Sequence, residues 1–319
     1  GMDPPEHLGY RLAVNRNFLP RVIQRLSERV EAIAAEAVDR LADALAQPAA
    51  GPQDFVAAVS AEVPLLVIAE LLGVEPADRQ RFRRWTDIVV SPDDPGFATS
   101  RAEVMAAVRE FMAYGAEVLA DRRAAPRDDM MSAIAHAEVD GEQMDDAHQA
   151  AMWFIFLIGG NETTRNALSG ALVAFDRHPD QLASLRSGEL PWEAVGDEVL
   201  RWWSPVNYLR RTVTATTELG GMALEAGDKA VLWLTAANRD GAAFEDPHRF
   251  DLRRANAGDH LALGHGTHFC LGAHLARLEL AVTLRLLYER LPDLRLAGEP
   301  HRVRANFINA VHALPVQSR

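Results

Sequence analysis

The chain has 319 residues, 48% of them hydrophobic, enough to bury a substantial core in one large domain or two ordinary ones. Its 45 acidic and 33 basic residues leave a net charge of −12, which argues against a general affinity for nucleic acid, and a single cysteine excludes an internal disulfide and fits a reducing cytosol. The longest apolar run, Ala150 to Gly160, is too short to span a bilayer and no charged-then-apolar leader opens the chain, so a cytoplasmic protein with no membrane segment is expected.

Gly1 ahead of Met2 reads as the remnant of a cleaved tag. Pro4 and Pro5 then suit the start of a helix on which His7 and Arg11, four apart, share one face, either a solvated helix start or a pair of donors. Val22, Leu26, Val30, Ile33, Ala37, Leu41 and Leu45 recur at helical spacing and predict a helix over 21–46, ended by the Pro/Gly break at 48–52. Amphipathic helices follow at 60–72, 76–90, 100–123 and 130–137. The next, over 145–176, carries Gly159-Gly160-Asn161-Glu162-Thr163-Thr164. Adjacent glycines inside a helix cost about 1 kcal/mol each relative to alanine, so they mark a kink or a place where a planar ligand approaches the backbone.

Glu198 and Arg201 stand three apart on a further helix, the spacing of an ordinary ion pair. Strands are predicted at 208–216 and 230–234 with a turn at Gly220-Gly221, and on the first of them Arg210 and Arg211 point to opposite faces. Near the end, Gly264, Gly266 and Gly272 surround the lone Cys270. Leu275, Leu278, Val282 and Leu286 then take up helical spacing, which places Cys270 at a helix N-terminus, where a thiolate is favoured over a thiol. A lone cysteine is otherwise a small buried hydrophobe.

Four of these stretches share one resemblance. Leu263-Gly264-His265-Gly266-Thr267-His268-Phe269-Cys270-Leu271-Gly272 resembles the proximal ligand loop of the haem-thiolate monooxygenases, the cytochrome P450 superfamily, with Leu263 where that family usually has a phenylalanine that tunes the sulfur. The resemblance implies haem b held by the Cys270 thiolate, with Gly264, His268 and Gly272 at the cofactor. Asp3-Pro4-Pro5-Glu6-His7 with Arg11, followed by Asn15-Arg16-Asn17-Phe18, resembles the family's C helix, which implies that His7 and Arg11 hold a haem propionate; Arg211 and His260 match two further propionate ligands. The run Gly159 to Thr163 resembles the family's oxygen groove, which implies that Gly160 lines it, that Thr163 hydrogen-bonds bound dioxygen and that Glu162 relays protons from solvent. Glu198 and Arg201 match the family's Glu-x-x-Arg, with Arg249 as third member of a structural triad. The helices at 76–90 and 100–123 match its substrate roof, where Trp85 and the nearby Phe97 line a pocket or pack the core.

The resemblance implies a mainly α fold with small β-sheets, a single haem domain over 1–319 that lacks the family's segment before the C helix. It also implies hydroxylation of a small hydrophobic organic substrate with O2. No flavin or iron–sulfur motif is present, so NAD(P)H-derived electrons are expected through a ferredoxin or similar partner, docking where Arg16, Arg21 and Arg277 add positive charge. The alternative is a non-catalytic or haem-poor remnant, a haem-binding sensor; the intact Glu162-Thr163 pair, which haem binding alone does not need, speaks against it.

Overall fold

The computed structural model describes residues 2–47, 51–90 and 100–318; Phe97 lies outside them. Among the described residues the helices in chain order are α1 (Glu6–Asn15), α2 (Pro20–Arg25), α3 (Ser27–Leu45), α4 (Glu62–Leu71), α5 (Arg79–Val90), α6 (Arg101–Ala124), α7 (Met130–Ala135), α8 (Asp146–Arg177), α9 (Pro179–Arg186), α10 (Val195–Trp203), α11 (Leu234–Ala237) and α12 (Ala273–Arg290). Small antiparallel sheets fill the gaps. β2 (Glu138–Val139) pairs with β3 (Glu142–Gln143), β5 (Thr217–Leu219) with β6 (Met222–Leu224), and β9 (His301–Arg302) with β10 (Val311–Ala313). β4 (Tyr208–Thr212) pairs with β7 (Lys229–Trp233) in the register Arg211 to Ala230, and β11 (Pro315–Gln317) lies between β1 (Gln53–Asp54) and β8 (Arg295–Leu296). The architecture is mainly helical with small sheets, as the sequence predicts.

α8 is the axis of this arrangement. Its sequence is apolar around most of its circumference, the pattern of a helix enclosed by others, and α4, α5, α6, α10 and α12 all pack on it. Asp145 caps it, its carboxylate accepting from the His148 amide at 2.9 Å, and the helix runs unbroken through Gly159-Gly160. α12 packs between α3 and α10, and so fixes the Cys270 loop at its own N-terminus relative to α8.

Two boundaries differ from expectation for local reasons. The helix predicted over 21–46 is two, because Pro20 starts α2 in its first turn and the Leu26 amide closes that helix onto Gln24 and Ile23 before α3 begins. The strand predicted to reach 216 ends at Thr212, where Val213 exchanges hydrogen bonds with Asp228 and Gly227 and turns the chain away. Among the described residues no helix is long and apolar enough to cross a membrane.

Candidate functional site

The loop around Cys270 is closed on itself. The Cys270 amide donates to the Leu263 carbonyl at 2.8 Å, and Gly264 and Gly266 take φ values of 72° and 69°, a region that disfavours a side chain. A Cβ on Gly264 would also meet the His268 carbonyl oxygen at 3.4 Å. Cys270 is half-buried against the core, just ahead of α12. Burial pushes the Cys270 thiol up. The Gly272 amide and the Arg11 and Arg277 cations act the other way without overcoming desolvation.

α1 is tied to this loop by side chains 258 and 265 residues distant in sequence. Arg11 Nη2 donates to the Phe269 carbonyl at 2.7 Å, the His7 and His268 rings lie 4.2 Å apart, and His268 Nε2 contacts Asp3 Oδ1 at 2.9 Å. The hydrogen bond with His268 lowers the exposed Asp3 carboxyl, helped by the charges of His268, Arg211 and His7. Burial, then the neighbouring His268 and Arg11 cations, lower His7, whose Nδ1 is buried without a hydrogen-bond partner. The structure therefore brings Asp3, His7 and Arg11 onto the Cys270 loop, through His268 and the Phe269 carbonyl.

His260 is engaged elsewhere, contrary to its assignment to that group. It is buried, its Nε2 lies 3.3 Å from Asp197 Oδ1 and its Nδ1 accepts from the Ala262 amide, so both ring nitrogens are occupied within the protein. Asp197 also accepts from Arg277 at 2.8 Å, and hydrogen bonds from these two residues hold its carboxyl below the usual range despite burial.

On α8, Ile155, Gly159 and Thr163 follow at four-residue spacing along one stripe. Ile155 is 55% exposed, and a Cβ on Gly159 would meet nothing within 4 Å. This is an open stripe on a helix that is otherwise enclosed. Gly160 turns the other way: a Cβ there would stand 2.8 Å from Ile68 Cδ1, so Gly160 serves the close packing of α4 on α8 and Gly159 supplies the opening. The Thr163 hydroxyl donates to the Gly159 carbonyl at 2.9 Å. Glu162, next along, is buried, with Oε1 receiving Arg165 Nη1 at 2.9 Å and Oε2 receiving Asn166 Nδ2 at 3.2 Å. Its carboxylate does not meet solvent directly.

The structural triad needs one correction. Arg201 binds Glu198 through two contacts of 2.7 Å and reaches the carbonyls of Asn238, Pro247 and Arg249. Arg249 thus takes part through its main chain while its side chain is exposed, and the second guanidinium on Glu198 belongs to Arg254, at 3.4 Å. Sequence spacing missed Arg254 because it follows an irregular loop with no periodicity. Trp85 is buried and donates to Glu110 at 3.0 Å, which makes it a packing residue.

The donor set fits a flat dianion with an iron centre: imidazole and guanidinium groups converge beside the only thiol, a buried imidazole nitrogen has no partner, and Gly159 leaves an unfilled space on α8.

Comparison with known proteins finds relatives along nearly the whole chain. The family model described as Cytochrome P450 matches residues 192–291. The methyl-branched lipid omega-hydroxylase of Mycobacterium tuberculosis is 38% identical over 320 residues, covering 99% of this chain and 73% of the relative. The linalool 8-monooxygenase of Pseudomonas putida is 35% identical over 99% of this chain and 76% of its own, and the steroid C26-monooxygenase of Rhodococcus jostii 37% identical over 98% and 64%. Among solved structures, a Mycobacterium marinum cytochrome P450 in complex with pseudoionone superposes with a TM-score of 0.92 at 36% identity, covering 99% of this chain and 76% of that one.

Proposed function

The chain belongs to the cytochrome P450 family and is a P450-type monooxygenase, and from that premise we propose that it hydroxylates an apolar, methyl-branched substrate at a haem held by Cys270. The family implies haem with a cysteine thiolate on iron, and Cys270 is the only cysteine in the chain. When bound, thiolate-ligated haem supplies the activation of dioxygen by which one oxygen atom enters a C–H bond. The residues of this chain do the rest. Cys270 would hold the iron from the closed loop, and His7, Arg11, Arg211 and His268 would hold the two carboxylates, with His260 supporting the loop from Asp197. Gly159 leaves room on α8, Thr163 Oγ1 offers a hydroxyl on the open stripe, and Glu162 holds a proton behind it.

The activities for which the relatives are named, on a methyl-branched lipid, a steroid C26 position and linalool, favour an apolar branched chain, and the exposed Ile155 beside Gly159 gives the open stripe an apolar surface. Electrons reach the haem from NAD(P)H through an external partner, for which we propose an acidic ferredoxin docking where Arg16 and Arg21 are exposed; Arg277 contributes less, since Asp197 already neutralises it. We read residues 1–319 as one haem domain. A role as a non-catalytic haem binder is not favoured, because the named relatives are monooxygenases.

The observation that carries this reading is the convergence of α1 donors on the Cys270 loop. The test is the carbon monoxide complex of the reduced protein. Native protein should show the red-shifted Soret band of thiolate ligation and Cys270→Ser should lose it; an unchanged band in the variant would remove Cys270 as the ligand.

A further inference from the structure

α1 carries two of the donors at the Cys270 loop, yet little of it is buried. Of its ten residues only Val14 is buried, and no side chain caps its first turn. A helix this short is marginal in water by itself, so its seat comes from contacts with the rest of the protein. His7 and Arg11 are spent on the loop side, Arg11 on the Phe269 carbonyl and His7 against the His268 ring. Donors that would hold a cofactor's carboxylates are not free to anchor the helix as well, so the anchorage falls to its other contacts.

Two neighbouring residues of α1 supply it. Gly9 lets the helix approach β2 so closely that a Cβ there would stand 2.7 Å from Val139 Cγ1. Tyr10 reaches α8 instead: its ring stacks on His148 with centroids 4.3 Å apart and planes 24° from parallel. The His148 ring is itself aimed. Its Nδ1 lies 2.9 Å from both oxygens of Asp145, the same carboxylate that caps α8 through the His148 amide. Hydrogen bonds from that amide and then from the ring hold the Asp145 carboxyl below its usual range. The N-terminus of α8 thus presents an oriented flat ring to α1.

We propose that Tyr10 and His148 are positioning residues for the haem: their stack, aimed by Asp145, holds α1 so that His7 and Arg11 reach the cofactor, and it thereby sets how firmly the haem is retained. This rests on the reading of His7 and Arg11 as donors to the haem carboxylates. Losing the stack lets α1 swing, and both donors go with it. A stacked aromatic pair is worth a factor of about two to ten in an equilibrium, which sets the size of the effect.

The variants are Tyr10→Ala, Tyr10→Phe, His148→Ala and the double Tyr10→Ala/His148→Ala, each in the haem-loaded protein. Haem transfer to excess apomyoglobin gives the release rate without any turnover. Tyr10→Ala should release haem about fivefold faster and Tyr10→Phe, which keeps the stack, at the native rate. Amide exchange in α1 should quicken in Tyr10→Ala while that of α8 and the denaturant midpoint stay as they are, an outcome that general loosening of the fold would not give. His148→Ala should match Tyr10→Ala, and the double variant should be no worse than either, because the two residues share one contact. Losses that multiply to about twenty-five-fold in the double variant are independent effects and overturn the proposal. Arg11→Ala, which removes a donor directly, separates the proposal from the reading beneath it. Fast release from Arg11→Ala with native release from Tyr10→Ala overturns the role of the stack alone; native release from both overturns the reading of the α1 donors and the proposal with it. If Tyr10→Ala does not fold, His148→Ala carries the same release test, with the same outcome expected and the same outcome fatal.

Discussion

Two buried pairs in this protein have the same residue types at the same spacing and opposite character. Glu198 and Arg201 of α10, like Glu162 and Arg165 of α8, are a glutamate and an arginine three apart on a helix. In the first pair both side chains are wholly buried, two contacts of 2.7 Å join them, Arg201 spends its remaining donors on three carbonyls, and Arg254 and the Asp251 amide complete Glu198. In the second a single contact of 2.9 Å from Arg165 is shared with Asp87, Asn166 donates to the other Glu162 oxygen at 3.2 Å, and Arg165 Nε goes unused. A closed network fixes structure, because no member can move without leaving a buried charge; one with an unused donor holds its carboxylate less firmly. Satisfaction of the donors, rather than spacing or burial, distinguishes them.

The largest effect should come from breaking the closed pair. Glu198→Gln leaves the Arg201 guanidinium buried without a counter-charge and should destabilise the fold by about 3–5 kcal/mol, read by denaturant unfolding. Glu162→Gln should cost stability far less and instead lower coupled turnover by roughly a hundredfold. Thr163→Ala should leave haem content unchanged and divert NAD(P)H equivalents to hydrogen peroxide, measured as product formed per NAD(P)H consumed. Equal stability losses in Glu198→Gln and Glu162→Gln would erase the distinction.

The glycines sharpen the same contrast within α8. Gly160→Ala forces a methyl onto Ile68 and should cost about 1–3 kcal/mol by overpacking, whereas Gly159→Ala should leave stability equal or higher by up to about 1 kcal/mol while weakening haem or substrate binding seen in the visible spectrum. The smallest effect tests the membership of the closed network: Arg254→Ala should lower stability by about 1 kcal/mol and Arg249→Ala by under about 0.5 kcal/mol. The reverse order would return Arg249 to the triad.

Much of this was legible in the chain. The helix over 145–176 and the helix after Cys270 follow from apolar periodicity, and the glycine-bracketed cysteine together with His7 and Arg11 located the donor cluster before any geometry. What spacing could not tell was direction. Gly159 and Gly160 are identical as letters, and only the neighbour at Ile68 separates opening from packing. His260 sits beside the loop in sequence, yet Asp197, 63 residues away, claims it. The helix end at Cys270 argues for a thiolate, and how strongly burial opposes it depends on which side chains fold over the sulfur. Arg254 rather than Arg249 completes Glu198 because the intervening loop, free of any repeat, decides which guanidinium points inward.

The three-stranded sheet has a consequence for how the protein is made. Its central strand is β11, at 315–317, flanked by β1 at 53–54 and β8 at 295–296, and Asp54 Oδ1 accepts from the Leu314 amide at 2.8 Å across 260 residues. On the ribosome, β1 therefore emerges long before its partner exists, and its edge stays unpaired while nearly all of the helical body is being synthesised. Emergence of β11, rather than completion of α8 or α12, is the event that lets this sheet close.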